Sequence, residues 1–480
     1  MITRIQIDGF KNLRKVDLSF GAFTCIAGPN GSGKSNLFDA IQFLSLTASK
    51  TVLEAALSIR ADGVLPSAPE HIFDCSEPVG HRQIYFRVEM IVPATALDDL
   101  NQEAAATFTF LVYELSIRER DRTPMSGPLE IVREQLSNLS WSQAKEQLGF
   151  QHGNKWRESL RQRGTSTGSK VFISTKLSDG TTIIARHQDG GSRGQPVPAL
   201  ATNLPRTVLS IANASESPTV LCAKREMESW RLLALEASSL RSPDNFNDEG
   251  KLLDAHGRHM PATLHRLMES QPDPTQVSAR IASRLTELVE NIRGIQLVED
   301  EVRQAYSILV TERSGRPIPA RGLSDGTLRF LALAILEEDP LIEGIICLEE
   351  PENGIHPRRL PAMIRLLKDI ALDPTLACGD DNPLRQVIIN THSPTVVAEV
   401  PDDSLIIVEE QPMRLGGSTR QIPCFLGLPD TWRSRRTGQS IPKGALLAYL
   451  NPIQKAPSHG KKALRVVDRQ DLQMKLPGVE

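Results

Sequence analysis

Long hydrophobic runs are missing from this 480-residue chain: nowhere do eighteen apolar residues follow one another, so no segment reads as a membrane-spanning helix. The opening MITRIQIDGF has none of the charged, apolar and small-residue regions of a secretory leader, and a cytoplasmic location is the expectation. Cysteine is sparse. The six (Cys25, Cys75, Cys222, Cys347, Cys378 and Cys424) are far apart with no C-x-x-C pair, which suggests neither a disulfide framework nor a zinc site and predicts buried free thiols. An excess of either charge is also absent. With 55 Lys+Arg against 58 Asp+Glu the net charge is −3, so any contact with nucleic acid has to come from a local patch rather than a global field. What is present, 40% hydrophobic residues, is ample for a large globular core.

Two short alternating strands, at 3–7 and 15–20, precede a buried strand at 24–27, a glycine-rich loop and a helix from Lys34 to about Leu46. Residues 82–120 alternate β-branched and aromatic side chains with polar ones, the pattern of antiparallel strands with one wet face. From about 128 to 163 the spacing is helical, then comes a β-ribbon at 170–187 and a mostly helical stretch to about 293. In that stretch Val277, Ile281, Leu285, Leu288, Val289 and Ile292 share one helical face, with Pro274 at its start and Gly294 past its end. The final third alternates strands (344–348, 386–390, 404–408) with helices (357–370, 394–400), which predicts a parallel sheet with crossover helices. Only the tail after about 455 reads as loose.

Four motifs carry chemistry. Gly28-Pro-Asn-Gly-Ser-Gly-Lys34-Ser35 matches G-x-x-x-x-G-K-[ST] between a strand and a helix: its glycines let backbone N–H groups surround a β-phosphate, Lys34 reaches the β- and γ-phosphates, and Ser35 can ligate Mg²⁺. Gly28, Asn30, Gly31, Ser32, Gly33, Lys34, Ser35 and Asn36 form the expected nucleotide-binding set. GIICLEEPENGIHP ends a buried strand in Glu349 and Glu350, of which one carboxylate can join the Mg²⁺ shell and the next polarise water. QVIINTHSP ends another in Thr391 and His392. The pentapeptide LSDGT occurs twice. At Leu177 to Thr181 β-prone segments flank it and Asp179-Gly180 reads as a hairpin turn; at Leu323 to Thr327 it opens the apolar helix LRFLALAIL, where a serine and free backbone N–H groups suit an anion.

In this order these motifs resemble the ABC-type ATPases of the SMC, RecF and OLD group, and RIQIDGFKNLRKVDLSF resembles that group's N-terminal strand and F-K-[NS] turn; compact bacterial "AAA family" ATPases of antiphage systems are the nearest in kind. The resemblance implies an α/β fold, an ABC/SMC-like P-loop head of mixed sheet with crossover helices and an antiparallel β subdomain, plus a mostly helical insertion lobe. It divides the chain into 1–125, an N-terminal ATPase lobe; 126–295, an inserted helical lobe with a β-hairpin; 296–412, a C-terminal ATPase lobe; and 413–480, a strand/helix extension and tail. ATP and Mg²⁺ are the implied cofactors, Glu350 the implied catalytic base, and His392 the γ-phosphate switch. Ser324, Asp325 and Gly326 would act in trans across a homodimer or higher homo-oligomer. The sequence departs from the family in having Glu349 where an aspartate is usual, in offering only Gln83 as a Q-loop candidate for the metal, and in lacking the sustained heptads of a long coiled coil. The implied role is that of a sensor and regulator for a separately encoded nuclease or toxin. A RecF-like DNA-binding repair ATPase is the alternative, and an OLD-like nuclease the third: Glu409 lacks a following glycine, and Asp468 and Asp471 have the wrong spacing for that metal site. DNA contact could use Lys155, Trp156, Arg157, Arg161 and Arg163, or Trp432, Arg433, Arg435 and Arg436, arginines beside a ring that could stack on bases. His256 and His259 have no acidic or cysteine companion at ligand spacing and read as surface.

Overall fold

A computed structural model describes residues 1–60, 68–76, 78, 80–120, 127–141, 144–161, 169–178, 180–189, 195–248, 250–415 and 418–450. Two sheets dominate it. The first has six strands in the order Arg231–Leu233, Gly344–Glu349, Arg385–Thr391, Phe23–Ala27, Leu405–Leu415 and Ser418–Gly427; the first five are mutually parallel and the last returns antiparallel. Phe23–Ala27 and Arg385–Thr391 are buried at every position, as expected of parallel strands covered on both faces. Their side chains alternate between two cores. Cys25, Ala27, Ile346, Leu348, Val387 and Ile389 pack with the helices Asp325–Glu338 and Leu360–Ile370, whereas Ile26, Ile345, Cys347, Ile388 and Ile406 pack with the helix Lys34–Thr47.

That second core also holds the other sheet. Its eight strands run in the order Val197–Leu200, Thr181–Arg186, Val171–Ser178, Leu129–Asn138, Phe110–Glu119, Gln83–Ile91, Ile2–Asp8 and Val16–Ser19, and every pairing is antiparallel. The helix Lys34–Thr47 is therefore sandwiched between the sheets, with Phe43 5.9 Å from the rings of both Phe10 and Phe86. A smaller sheet, in which Ala305–Glu312 pairs with Asp244–Asn245, Ile292–Asp300 and Pro317–Pro319, feeds the chain into the helix Asp325–Glu338.

Three readings of the sequence need correction. Helical spacing at 128–163 is in fact the strand Leu129–Asn138, paired with Phe110–Glu119, followed by the short helices Ala144–Leu148 and Asn154–Leu160. The helix Pro274–Leu288 stops before Ile292, which opens a strand, and Gly294 lies inside that strand beside a register shift. Arg231–Leu233, the edge strand of the parallel sheet, falls in the stretch read as mostly helical.

Candidate functional site

The strand Phe23–Ala27 delivers the chain to a loop that only glycine can form. A Cβ on Gly28 would stand 2.9 Å from Val408 O, and Gly31 and Gly33 adopt φ of +81° and +92°, a region that disfavours L side chains. Gly33 caps the helix Lys34–Thr47 without a side chain, so no capping side chain competes with a ligand for the N–H groups and the positive dipole end of the first turn. Ser32 Oγ is buried and has no hydrogen-bond partner among the described residues. Lys34 Nζ donates to Gly28 O (2.7 Å) and Pro29 O (2.8 Å), and burial lowers its pKa against the raising pull of Glu350, Glu349 and Glu352.

This loop forms one wall of an open cleft of about 570 Å³ that also takes in Ser35, Asn36, Glu349 and Glu350. Two further cations reach it, Lys11 and Arg60. Both are anchored on Asp39, a buried carboxylate of the P-loop helix: Lys11 Nζ lies 2.6 Å and Arg60 Nε 2.8 Å from its Oδ2. Arg60 Nη2 is also 3.6 Å from Glu349 Oε1. Burial lowers the Arg60 pKa, but the bond to Asp39 and the charges of Asp39 and Glu349 more than offset it, and the guanidinium stays firmly charged. Cations on one wall and carboxylates on the other suit a polyphosphate carrying a hard cation, because each side then finds a partner of opposite sign.

Glu350 sits at the end of the acidic strand with φ of +47°, a costly conformation for a glutamate and one that concentrates at functional sites. Its backbone N–H donates to Asn390 O (3.0 Å) and Asn390 Oδ1 (3.1 Å), which fixes the turn to the neighbouring strand. Its carboxylate is held at both oxygens. His392 Nδ1 lies 2.7 Å from Oε1, and Asn353 Nδ2 donates to Oε2 at 2.9 Å. Burial pushes the Glu350 pKa up, but these two bonds, with the nearby His392 and Lys34 charges, outweigh it and leave the pKa below the ordinary carboxylate value. Behind this pair Thr391 Oγ1 donates to Glu352 Oε1 at 2.5 Å, and burial raises the Glu352 pKa.

The two LSDGT copies have different environments. Leu177 and Ser178 end a strand whose Ser178 pairs with Thr181 and whose turn includes Gly180 at φ +74°; Asp179 lies outside the described residues. Ser324 caps the helix Asp325–Glu338, accepting from Thr327 N at 3.3 Å and lying 2.8 Å from Thr327 Oγ1. Ser324 and Asp325 are exposed, Gly326 is buried, and none of the three lines the cleft of their own chain.

Of the expected nucleotide-binding residues, Asn30, Gly31, Gly33, Lys34, Ser35 and Asn36 line the cleft, and Gly28 and Ser32 sit in the loop behind it. Gln83 does not join them. It opens the strand Gln83–Ile91 on the antiparallel sheet, is exposed, and pairs with Arg118. Both basic clusters lose their rings to the core: Trp156 is fully buried, and Trp432 is buried with Arg433, whose guanidinium donates to Ser19 O (3.1 Å) and Thr24 Oγ1 (3.0 Å). Arg163, Asp468 and Asp471 lie outside the described residues. Glu409 belongs to a strand paired with the antiparallel return, opposite Cys424. His259 does have acidic companions, Asp244 and Asp248, with ligand atoms within 4.8 Å of one another, because the fold brings a strand end onto a helix start. Of the cysteines, all free, Cys75 is exposed and Cys378 and Cys424 are half-buried, so only Cys25, Cys222 and Cys347 match the expected burial. Sequence reading missed Lys11, Arg60, Asn353 and Asn390. Lys11 had a signal in the F-K-N turn; Arg60 had none, because it meets the site only through Asp39.

Two family models match separate stretches of the chain. Residues 1–58 match "RecF/RecN/SMC N terminal domain", and residues 224–398 match "AAA domain, putative AbiEii toxin, Type IV TA system". The DNA replication and repair protein RecF of Bacteroides fragilis is 48% identical over 50 residues, 10% of this chain and 14% of that protein. The chromosome partition protein Smc of Methanocaldococcus jannaschii is 47% identical over 51 residues, 10% of this chain and 4% of that protein. The match thus spans about one-seventh of the length of the RecF relative. Among solved structures, an Smc head bound to the C-terminal winged-helix domain of ScpA aligns over 89% of this chain and 98% of its own, at 14% identity and a TM-score of 0.43.

Proposed function

We propose that this chain, an ABC-type P-loop ATPase of the SMC and RecF kind, binds Mg-ATP in the cleft, hydrolyses it, and uses the cycle to regulate a separately encoded effector. The observation that supports this most is the convergence of Lys34, Glu350 and His392: a phosphate-binding cation, a carboxylate kept ionised, and an imidazole bonded to that carboxylate at 2.7 Å. Glu350 accepts a proton from the attacking water, with Asn353 and His392 fixing its two oxygens, and Lys11, Lys34 and Arg60 face the negative charge of the phosphates. Ser35 and Glu349, two hard oxygen donors on the same cleft, are the residues that would hold Mg²⁺, which when bound neutralises phosphate charge. Ser324, Asp325 and Gly326 stand outside the cleft of their own chain, with Ser324 and Asp325 exposed, which supports their completing the site of a second copy in a homodimer or higher homo-oligomer.

The matched AAA family, with its putative AbiEii toxin and type IV toxin–antitoxin system, supports an effector of the toxin class; the place proposed for the pair is bacterial antiphage defence, with a nuclease as the other effector class. The RecF-like reading draws on the name of the relatives, but the burial of Trp156 and Trp432 removes the stacking rings that would have served DNA. Glu350→Gln protein with ATP, compared with Lys34→Ala protein, tests the proposal in the native host. The expected result is an ATP-dependent dimer that retains a second protein. A chain that stays monomeric at saturating ATP, or that retains duplex DNA in a salt-dependent manner instead of a protein, overturns it.

A further inference from the structure

The helix that carries Ser324 is bolted to the turn that carries Glu350. Arg329, in its second turn, donates from Nη1 to Asn353 O at 2.6 Å and from Nε to Leu235 O at 3.1 Å. Asn353 in turn donates from its backbone N–H to Glu350 O at 3.1 Å and from Nδ2 to Glu350 Oε2 at 2.9 Å. The two segments also touch through backbone alone. A Cβ on Gly326 would overlap Gly354 O, and Gly354 adopts φ of +80°, so only glycine on both sides permits this approach. Asn353 is thus gripped through its carbonyl by one element while its side chain aims the carboxylate of another.

We infer that Asn353 is a positioning residue for Glu350 and that Arg329 sets Asn353, so that the placement of Ser324 and the aim of the base in the same chain are mechanically linked. Asn390 holds the Glu350 backbone at φ +47°, but among the described residues the side-chain carboxylate is bonded to Asn353 and His392 alone. A helix shift of a few tenths of an ångström at Ser324 reaches Arg329, five residues and about 7.5 Å further along the axis. Close packing of the helix passes the shift on, because a dense interior compresses little. Contact between Ser324 and a nucleotide held by a second copy would then be registered at the first copy's own base. This inference rests on Glu350 being the base, as proposed above.

The test measures kcat and ATP Kd for Asn353→Ala, Arg329→Ala and Arg329→Lys beside the unaltered chain. Removing the Asn353 amide should lower kcat about tenfold, the scale of one charge-assisted hydrogen bond, and leave ATP Kd within about threefold. Arg329→Ala should lower kcat by a smaller factor, again with ATP Kd held, and Arg329→Lys should restore part of kcat. Unaltered kcat in Asn353→Ala, or kcat and ATP Kd falling together, overturns the inference. Should Asn353→Ala melt at a lower temperature than the other variants, unaltered kcat in Arg329→Ala overturns it equally. A chain with no ATP hydrolysis to begin with would sink the proposed function instead, so the two failures are distinct.

Discussion

Replacing Glu350 by glutamine separates binding from chemistry in this cleft, and the geometry says how cleanly. Both carboxylate oxygens are acceptors now, Oε1 towards His392 and Oε2 towards Asn353. A glutamine has one acceptor and one NH₂ group. With its oxygen towards Asn353, its NH₂ faces His392 Nδ1 and needs the tautomer in which that nitrogen accepts; the opposite flip sets two NH₂ groups against each other. The first arrangement exchanges a charge-assisted pair of about 1.5–3 kcal/mol for neutral bonds of about 1 kcal/mol, a loss small enough to leave the fold intact. The chemistry suffers more. A general base contributes roughly 10²–10⁴-fold, so kcat should fall by at least about 100-fold while the P-loop, which makes no bond to Glu350, keeps ATP Kd within about threefold. Single-turnover hydrolysis with labelled ATP gives the rate, and fluorescence titration with a labelled nucleotide gives the affinity. In the unaltered chain kcat should also persist to lower pH than an ordinary carboxylate allows, since the Glu350 pKa is depressed. A glutamine variant within about tenfold of the original kcat refutes the assignment and moves the base to Glu349.

Lys34→Ala should weaken ATP binding by roughly 30-fold or more in a nucleotide titration, because a charge-assisted bond of about 2–3 kcal/mol to the phosphates disappears; unchanged affinity would show that Lys11 and Arg60 suffice. Ser324→Arg should abolish ATP-dependent association in light scattering and hydrolysis with it, yet leave ATP binding by the single chain intact. Ser178→Arg, on an exposed hairpin, should change stability by no more than about 0.5 kcal/mol and leave activity unaltered. Glu134 gives a pH test of stability. It is fully buried beneath backbone N–H groups of Val208 (2.7 Å) and Leu209 (2.8 Å), and burial lifts its pKa to about 7 in spite of them. The folded state then holds its proton more tightly than the unfolded state, so its contribution is full below about pH 4.5 and fades as pH rises through 7, by about 3 kcal/mol over the window. Glu134→Gln should flatten that part of the urea-midpoint profile against pH, and an unchanged slope would contradict the cause given.

The site was legible wherever its residues are contiguous and their backbone geometry is forced. Gly28 to Ser35 must fold as a phosphate loop between a buried strand and a helix, and Glu349, Glu350 and His392 fall at strand ends that a parallel sheet places on one edge. What depends on distant partners was not legible. Arg60 enters the cleft only because Asp39 holds it, and Asn353 matters through contacts that no spacing announces. The misread strand Leu129–Asn138 has a local cause: a register shift beside Ile131 moves the inward face, so that Ile131, Glu134 and Leu136 are the buried positions. A gap of three followed by an inward glutamate imitates helical spacing. At 277–292 the same apolar stripe continues into a strand, because Val289 turns extended while Ile292 stays in the same core.

The central place of Phe23–Ala27 in the parallel sheet also governs how the chain assembles as it is made. Its two neighbours, Arg385–Thr391 and Leu405–Leu415, lie more than 350 residues downstream, so at ordinary ribosomal speeds roughly 20–70 s pass before the first of them emerges. Throughout that time a strand that is apolar except for Thr24 has both edges open, the condition under which nascent chains stick to one another. The antiparallel sheet is complete by Leu200, and the helix Lys34–Thr47 can dock on it early and shelter one side. The nucleotide pocket is consequently among the last parts to form, and a ribosome that stalls before Arg385 leaves a phosphate loop without Arg385–Thr391, the strand that joins Phe23–Ala27 to the acidic strand Gly344–Glu349. Such a fragment should depend on holdase chaperones far more than the finished chain does.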